Sequence, residues 1–388
     1  MRSTTALLAA IVLVALNLRI ALSSLPTVVV LIQQETGWSD TLIGTLTTIP
    51  VFCMGLFALL VPRLAHRVGR GFSVSLALIT MAVAMLLRLS GPFIAPLAIS
   101  ALLAGIAIAI IGGLVPSIVR EQLSNRLGIA TSMWTAAMMG GAALGAATTL
   151  PLASWLGGWN RALAFWAIPA VVALVAWTAV ERPRPQSDTT GTQVVRLKDL
   201  PWRNSIAWSL TALTTLNSIV FYSAIAWIAP SYVERGYPPE TAAVLFGLFT
   251  GIHILGALIL PAWAFRSRYR RTIYSGCVAI SAVAVILIAV VPTFVPALTI
   301  AVLGFTLSAG FAIPMGMLSE YPASPLAATR LTAMALSVTF SVAAFGPLLA
   351  GLIMDTVNSW TLVFFLLAVV LLLQLPAVFQ LRRGITID

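Results

Sequence analysis

Long apolar stretches recur from end to end of this 388-residue chain, and they leave few folds open. Each runs to about 20 residues, the length a helix needs to cross roughly 30 Å of hydrocarbon. Twelve are readable, over 5–28, 40–61, 72–90, 93–118, 128–152, 161–180, 205–230, 241–264, 272–291, 295–319, 328–353 and 360–381. Only 9% of the residues are charged and 60% are hydrophobic, against about 25% charged in an ordinary soluble domain. The predicted fold class is an all-α membrane protein of twelve transmembrane helices. The first stretch is long and carries Asn17 and Arg19 near its centre, so it is expected to stay in the mature protein.

The net charge of +11 invites a nucleic-acid reading, but its distribution points to topology. Arg2, Arg63, Arg67, Arg70, Arg120, Arg126, Arg182, Arg184, Arg196, Lys198, Arg203, Arg266, Arg268, Arg270, Arg271, Arg330, Arg382 and Arg383 all fall on one side of the predicted spans. Arg88, Arg161 and Arg235 fall on the other, and Arg19 lies within a span. The positive-inside rule then puts both termini in the cytoplasm of a bacterial-type inner membrane, and no nucleic-acid partner is expected. Membrane lipid and a small-molecule substrate are the expected partners, and a monomer is the expected state.

Enzyme chemistry finds no foothold. Cys53 and Cys277 both lie inside spans without metal-ligand spacing, and the two histidines, His66 and His253, belong to no nucleophile–base set. No cofactor or metal is expected. The chain has no room for the nucleotide domain of an ATP-driven pump.

The one long polar tract, 181–204, is rich in Pro, Thr and charge and reads as a cytoplasmic linker. It separates a six-helix half at 1–180 from another at 205–388. A short repeat supports the division. Pro62, Ala65 and Arg67 follow the second span; Pro261, Ala264 and Arg266 follow the eighth, all at one offset of 199. Two parallel six-helix halves around a midplane site is a layout of secondary transporters with alternating access.

The segment Pro62-Arg-Leu-Ala-His-Arg-Val-Gly-Arg-Gly resembles the loop motif between spans two and three of the major facilitator superfamily, with His66 where that motif has Asp. Four further segments are similar to the branch of cyanate and nitroimidazole transporters. They are Leu16-Asn-Leu-Arg with Ser23-Ser-Leu-Pro, Met133-Trp-Thr-Ala-Ala-Met-Met-Gly-Gly-Ala-Ala-Leu-Gly, Leu163-Ala-Phe-Trp-Ala-Ile-Pro-Ala-Val-Val-Ala-Leu and Phe345-Gly-Pro-Leu-Leu-Ala-Gly-Leu. The resemblance implies the major facilitator fold and transport of a small solute.

Arg19 is the leading candidate for a cargo contact. A guanidinium in mid-bilayer costs roughly 2.5–3.5 kcal/mol on insertion scales, so it is kept where it faces a partner or a watery cavity. The alternative is a bond to a backbone carbonyl at a helix break. None of the eleven acids lies at the centre of a span, so the cavity reads as positive or neutral. Asn17 points some 200° around the helix from Arg19, toward a neighbouring helix or, as the second choice, cargo. In the seventh span Asn217, Ser218 and Tyr222 interrupt the apolar run, with Ser218 and Tyr222 on one face. Cargo contact and interhelical bonding are equal readings there. His253 lies mid-span, and Trp134, Met138 and Phe340 are candidate walls whose bland reading is packing. Gly112, Gly113, Pro116, Gly304, Gly310 and Pro314, with Gly141, Gly145, Gly346, Pro347 and Gly351, are candidate gating or packing points.

Three functions compete: a carrier of a small anion or small polar solute of the cyanate type; an exporter of neutral or weakly basic drugs such as nitroimidazoles; and a membrane sensor without transport, disfavoured by short tails and linker. His253 is the one mid-span group with an ordinary pKa of about 6.5, so proton coupling would run through it or through the cargo. Facilitated diffusion or exchange is the preferred expectation.

Overall fold

The computed structural model describes residues 4–58, 60–123, 126–180 and 197–380. Their regular structure is helical. Twelve helices are long and apolar enough to cross a membrane: Thr4–Thr36, Asp40–Ala58, Arg70–Ser90, Ile94–Gln122, Ile129–Leu156, Trp159–Val180, Ser205–Glu234, Pro239–Arg266, Arg270–Val290, Pro296–Leu318, Leu326–Val357 and Trp360–Phe379. Most of the predicted linker, 181–196, lies outside the described residues, as do Arg2, Arg382 and Arg383.

Several boundaries differ from expectation. The first span breaks at Ser23, passes through a 3₁₀ turn at Pro26–Val28 and resumes to Thr36. Proline fits there because a helix's first turn leaves its N–H unused. The segment read as a loop holds a short helix, Val61–Val68. It buries Val61 and Ala65, one turn apart, and exposes Arg63, His66 and Arg67. The sixth and twelfth spans are also interrupted, near Trp166 and at Leu373–Gln374.

The chain divides into two compact units, Met1–Gly37 with Ile49–Val194, and Trp38–Thr48 with Val195–Asp388. In the first, Ile11, Val14, Leu18, Leu78, Ile111, Val115, Trp166 and Trp177 are buried together. The indole of Trp166 donates to Thr149 Oγ1 at 3.0 Å and that of Trp177 to the Gly71 carbonyl at 3.2 Å, so two large rings are packed without an orphaned N–H. The second unit is centred on Trp227, Tyr232, Phe246, Phe249, Tyr274 and Phe364, all fully buried.

The same fastenings occur in both units at nearly the same separation along the chain. Where the third span begins and the fourth ends, Arg70 pairs with Glu121 at 2.6 Å; where the ninth begins and the tenth ends, Arg270 pairs with Glu320. At the opposite rims the indole of Trp159 donates to Glu35 at 2.6 Å, and that of Trp360 to Glu234 at 2.7 Å. Left-handed caps recur too: Gly37 and Gly236 after the first and seventh spans, and Gly157 and Asn358 after the fifth and eleventh. Ser23 lies so close to Gly145 that a methyl group there would collide with its hydroxyl, and Ser223 stands against Gly346 in the same way.

One seam inside the second unit joins the start of the second span to the eleventh. The Asp355 carboxylate accepts the backbone N–H groups of Asp40 at 2.9 Å and Thr41 at 2.8 Å. Two orphan donors and the positive end of the helix dipole are met by one anion. Gly351 lies on the Asp40 carbonyl, Gly44 on that of Pro347, and the Thr48 hydroxyl donates to the Ala344 carbonyl at 2.6 Å. Small residues let the backbones approach along the whole seam.

Candidate substrate site

In the first unit Val12, Leu16 and Arg19 are half-buried, while Val14, Ala15, Leu18 and Ile20 between and beside them are buried. The three follow at intervals of four and three residues, so Arg19 stands on a partly open face of its helix, which Ala9, Leu13 and Leu22 widen. Asn17 faces elsewhere. Its amide donates to the Leu13 carbonyl at 2.8 Å and, across to the sixth span, to that of Pro169 at 3.1 Å. The helix is seated against the fifth span, where Gly141 meets the Leu16 carbonyl and Gly145 meets Ser23. Trp134 is buried in the first unit's core with Met138 beside it.

Arg88 lies at the end of the third span, as its place in the sequence implies, but its side chain is turned into the protein. The residue is 4% exposed. Its Nε donates to Ser100 Oγ at 3.0 Å, Nη1 to Ser24 Oγ at 3.3 Å and Nη2 to the Ala21 carbonyl at 3.2 Å. A buried guanidinium survives only with its donors occupied, and these three bonds tie spans one, three and four together. Glu121 closes the last turn of the fourth span, which runs to Gln122, beyond the predicted end at 118, and there it meets Arg70.

In the second unit Asn217, Ser218 and Tyr222 are all buried on the seventh span. The Asn217 amide occupies the space a side chain at Gly310 would need. Tyr222 and Phe340 meet edge to face, centroids 6.3 Å apart, and Phe340 lies 6.4 Å from Phe311. The His253 ring is 4.7 Å from Phe221 and 6.1 Å from Phe249, and Phe221 adjoins Tyr222 at 5.4 Å. Tyr222, His253 and Phe340, singled out separately in the sequence, thus belong to one aromatic array. Phe221, Phe249 and Phe311 complete it and were missed; they sit on three spans, and no spacing in the sequence links them.

Of the candidate gating points, Gly304 presses on the Phe249 carbonyl and Gly113 on Val61, while Gly112 has no neighbour within 4 Å of where a methyl would sit. Pro116 and Pro314 lie inside helices. Pro347 gives its carbonyl to the Trp227 indole at 2.9 Å, and Gly346 lies beside it on Ser223. Among the described residues no group of three His, Cys, Asp or Glu is placed to hold a metal ion.

Residues 7–342 match the family model of the Major Facilitator Superfamily. The chain belongs to that superfamily. It is 32% identical over 348 residues to the cyanate transport protein CynX of Escherichia coli (strain K12), covering 89% of each chain. It is 26% identical over 379 residues to the 2-nitroimidazole transporter of the same organism, covering 97% of this chain and 95% of that one. Among solved structures, a D-xylose–proton symporter superposes with a TM-score of 0.75 at 15% identity, over 99% of both chains. That likeness shows the shared fold. This superfamily member is therefore a multi-pass transporter of the bacterial inner-membrane type and not an enzyme.

Proposed function

We propose that the chain is a secondary transporter for a small anion or small polar solute of the cyanate kind, working by alternating access, with Arg19 as the main cargo contact and both termini in the cytoplasm. The observation that carries this reading is Arg19's place on the partly open face of the first span. A charge held at that depth needs a polar counterpart. No acid lies at the centre of a span to serve an organic cation, which favours an anionic or neutral cargo. The identity to a cyanate transport protein agrees in kind.

A second reading, export of flat, weakly basic azoles, draws on the aromatic array of the second unit. Six rings, His253 included, are linked by centroid distances of 4.7–6.4 Å, and planar cargo stacks well on such walls. The two readings separate in one screen. Purified protein is heated in the presence of cyanate, nitrite, nitrate, small carboxylates or azoles, since a ligand that binds only the folded carrier raises its melting temperature. The anion reading expects stabilisation by one or more small anions and its loss in Arg19→Ala. Stabilisation by azoles alone, retained in Arg19→Ala and lost in Phe340→Ala, would replace it with the second.

A further inference from the structure

The end of the eighth span gathers exposed apolar, aromatic and basic side chains. Leu255, Ile259 and Trp263 follow one another at intervals of four and are 48%, 52% and 58% exposed. They form a straight apolar ridge along the outside of the helix, and Arg266, three residues further on, ends it on the same side. Phe265 and Tyr269 are exposed beside it, as are Arg266 and Arg268.

The guanidinium of Arg268 lies 4.5 Å from the centroid of the Tyr269 ring, which fixes its plane. The nearby acid is already engaged. Glu320 pairs with Arg270, whose side chain is 5% exposed and lies over Phe265 at 5.3 Å. Among the described residues no carboxylate is in ion-pair contact with Arg266 or Arg268, and Arg268 also donates to the Tyr269 hydroxyl, so two positive charges stand at the foot of a hydrocarbon-like ridge beside Trp263, Phe265 and Tyr269.

We propose that this helix end is a binding site for one anionic phospholipid, its phosphate held by Arg266 and Arg268 and one acyl chain laid along Trp263, Ile259 and Leu255. The chemistry matches at each level. A guanidinium recognises a phosphate oxygen pair, aromatic rings sit at headgroup depth, and aliphatic side chains meet the chain. The first unit carries a different version of this assembly. There the second span stops at Ala58, and Arg63 and Arg67 are carried on the separate helix Val61–Val68 without aromatic neighbours in that helix. Phe52, Leu56 and Leu60 are exposed at intervals of four on the way to them, but the helix breaks between Ala58 and Val61, so that row is not one straight ridge.

The test uses the full chain purified in a neutral detergent, with its melting temperature followed as phosphatidylglycerol, phosphatidylcholine or inorganic phosphate is added. Phosphatidylglycerol should raise the melting temperature saturably, and the other two should not. In R266Q/R268Q the half-saturating concentration should rise by more than about tenfold, given the attraction of each basic residue to an anionic headgroup. Trp263→Ala should weaken binding through the ridge alone, which keeps the test decisive if the double variant is poorly folded. R63Q/R67Q should bind as wild type. Equal stabilisation by phosphatidylcholine or by free phosphate would overturn the proposal. So would an equal loss in R63Q/R67Q, or unchanged binding in R266Q/R268Q.

Discussion

Two places after the buried Asn17 of the first unit stands Arg19; two places after the buried Asn217 of the second stands Ile219. The stretches align around the asparagines, with Leu13 and Leu16 against Leu213 and Leu216. Around these centres the rims agree: an arginine–glutamate pair on one side, a glutamate–tryptophan bond on the other, and a serine set on a glycine. The inner surfaces do not agree. The first unit has a charge and aliphatic side chains on its first span, while the second has Phe221 and Tyr222 at the head of an aromatic array.

Even the arginines at the ends of the third and seventh spans make different bonds. Arg88 reaches from the third span to the first, whereas Arg235 reaches from the end of the seventh to the Ile288 carbonyl of the ninth at 2.9 Å. Burial holds the Arg235 guanidinium below the usual arginine range, which favours giving its donors fixed partners. The rims of the two units repeat and their centres diverge. The rims keep the helices together, and the centres are free to specialise.

That comparison is open to direct attack. The largest effect is expected where the first unit's helices are closest. Gly141→Ala drives a methyl into the Leu16 backbone carbonyl, and Gly112→Ala, the same change where nothing lies within 4 Å, does not. The first should destabilise on the order of 1–3 kcal/mol, the cost of overpacking, and the second should not. Thermal unfolding of both variants reads the difference, and equal melting temperatures would mean that the seating of the first span is looser than described.

A smaller effect sharpens the rim comparison. Arg270 is 5% exposed and Arg70 30%, although the two pairs are otherwise alike. Arg70→Gln should cost roughly 0–1 kcal/mol, as exposed pairs do, because water screens it. Arg270→Gln should cost more, since it strands Glu320 and uncovers Phe265. The reverse order would mean that burial does not separate the two pairs.

The twelve spans were legible because each is a long apolar run, and nothing but a helix satisfies its backbone in lipid. Their ends were not. Val61–Val68 is basic enough to read as a loop, and only the burial of Val61 and Ala65 makes it a helix. The direction of Asn17 followed from 100° per residue, whereas the carbonyl it meets at Pro169 could not be known from the sequence. That Arg88 ends the third span was legible, but the burial of its guanidinium was not, because Ser100 and Ser24, which accept from it, lie on the fourth and first spans. Asp355 sits one turn from a helix end, and its partners, the N–H groups of Asp40 and Thr41, lie more than half the chain away. Contacts of that range leave no local trace. The aromatic array was half seen for the same reason.

The central claim is that cargo charge is met in the first unit alone, at Arg19. Uptake of the stabilising anion into proteoliposomes, measured for wild type, Arg19→Lys and Arg19→Ile, tests it most directly. Arg19→Ile installs the residue that the second unit carries at the matched position. The account predicts that Arg19→Ile loses transport by about tenfold or more, the worth of a hydrogen bond to a charged group. It also predicts that Arg19→Lys falls between that variant and wild type, since the charge remains and the planar fork is lost. Wild-type transport by well-folded Arg19→Ile would contradict it.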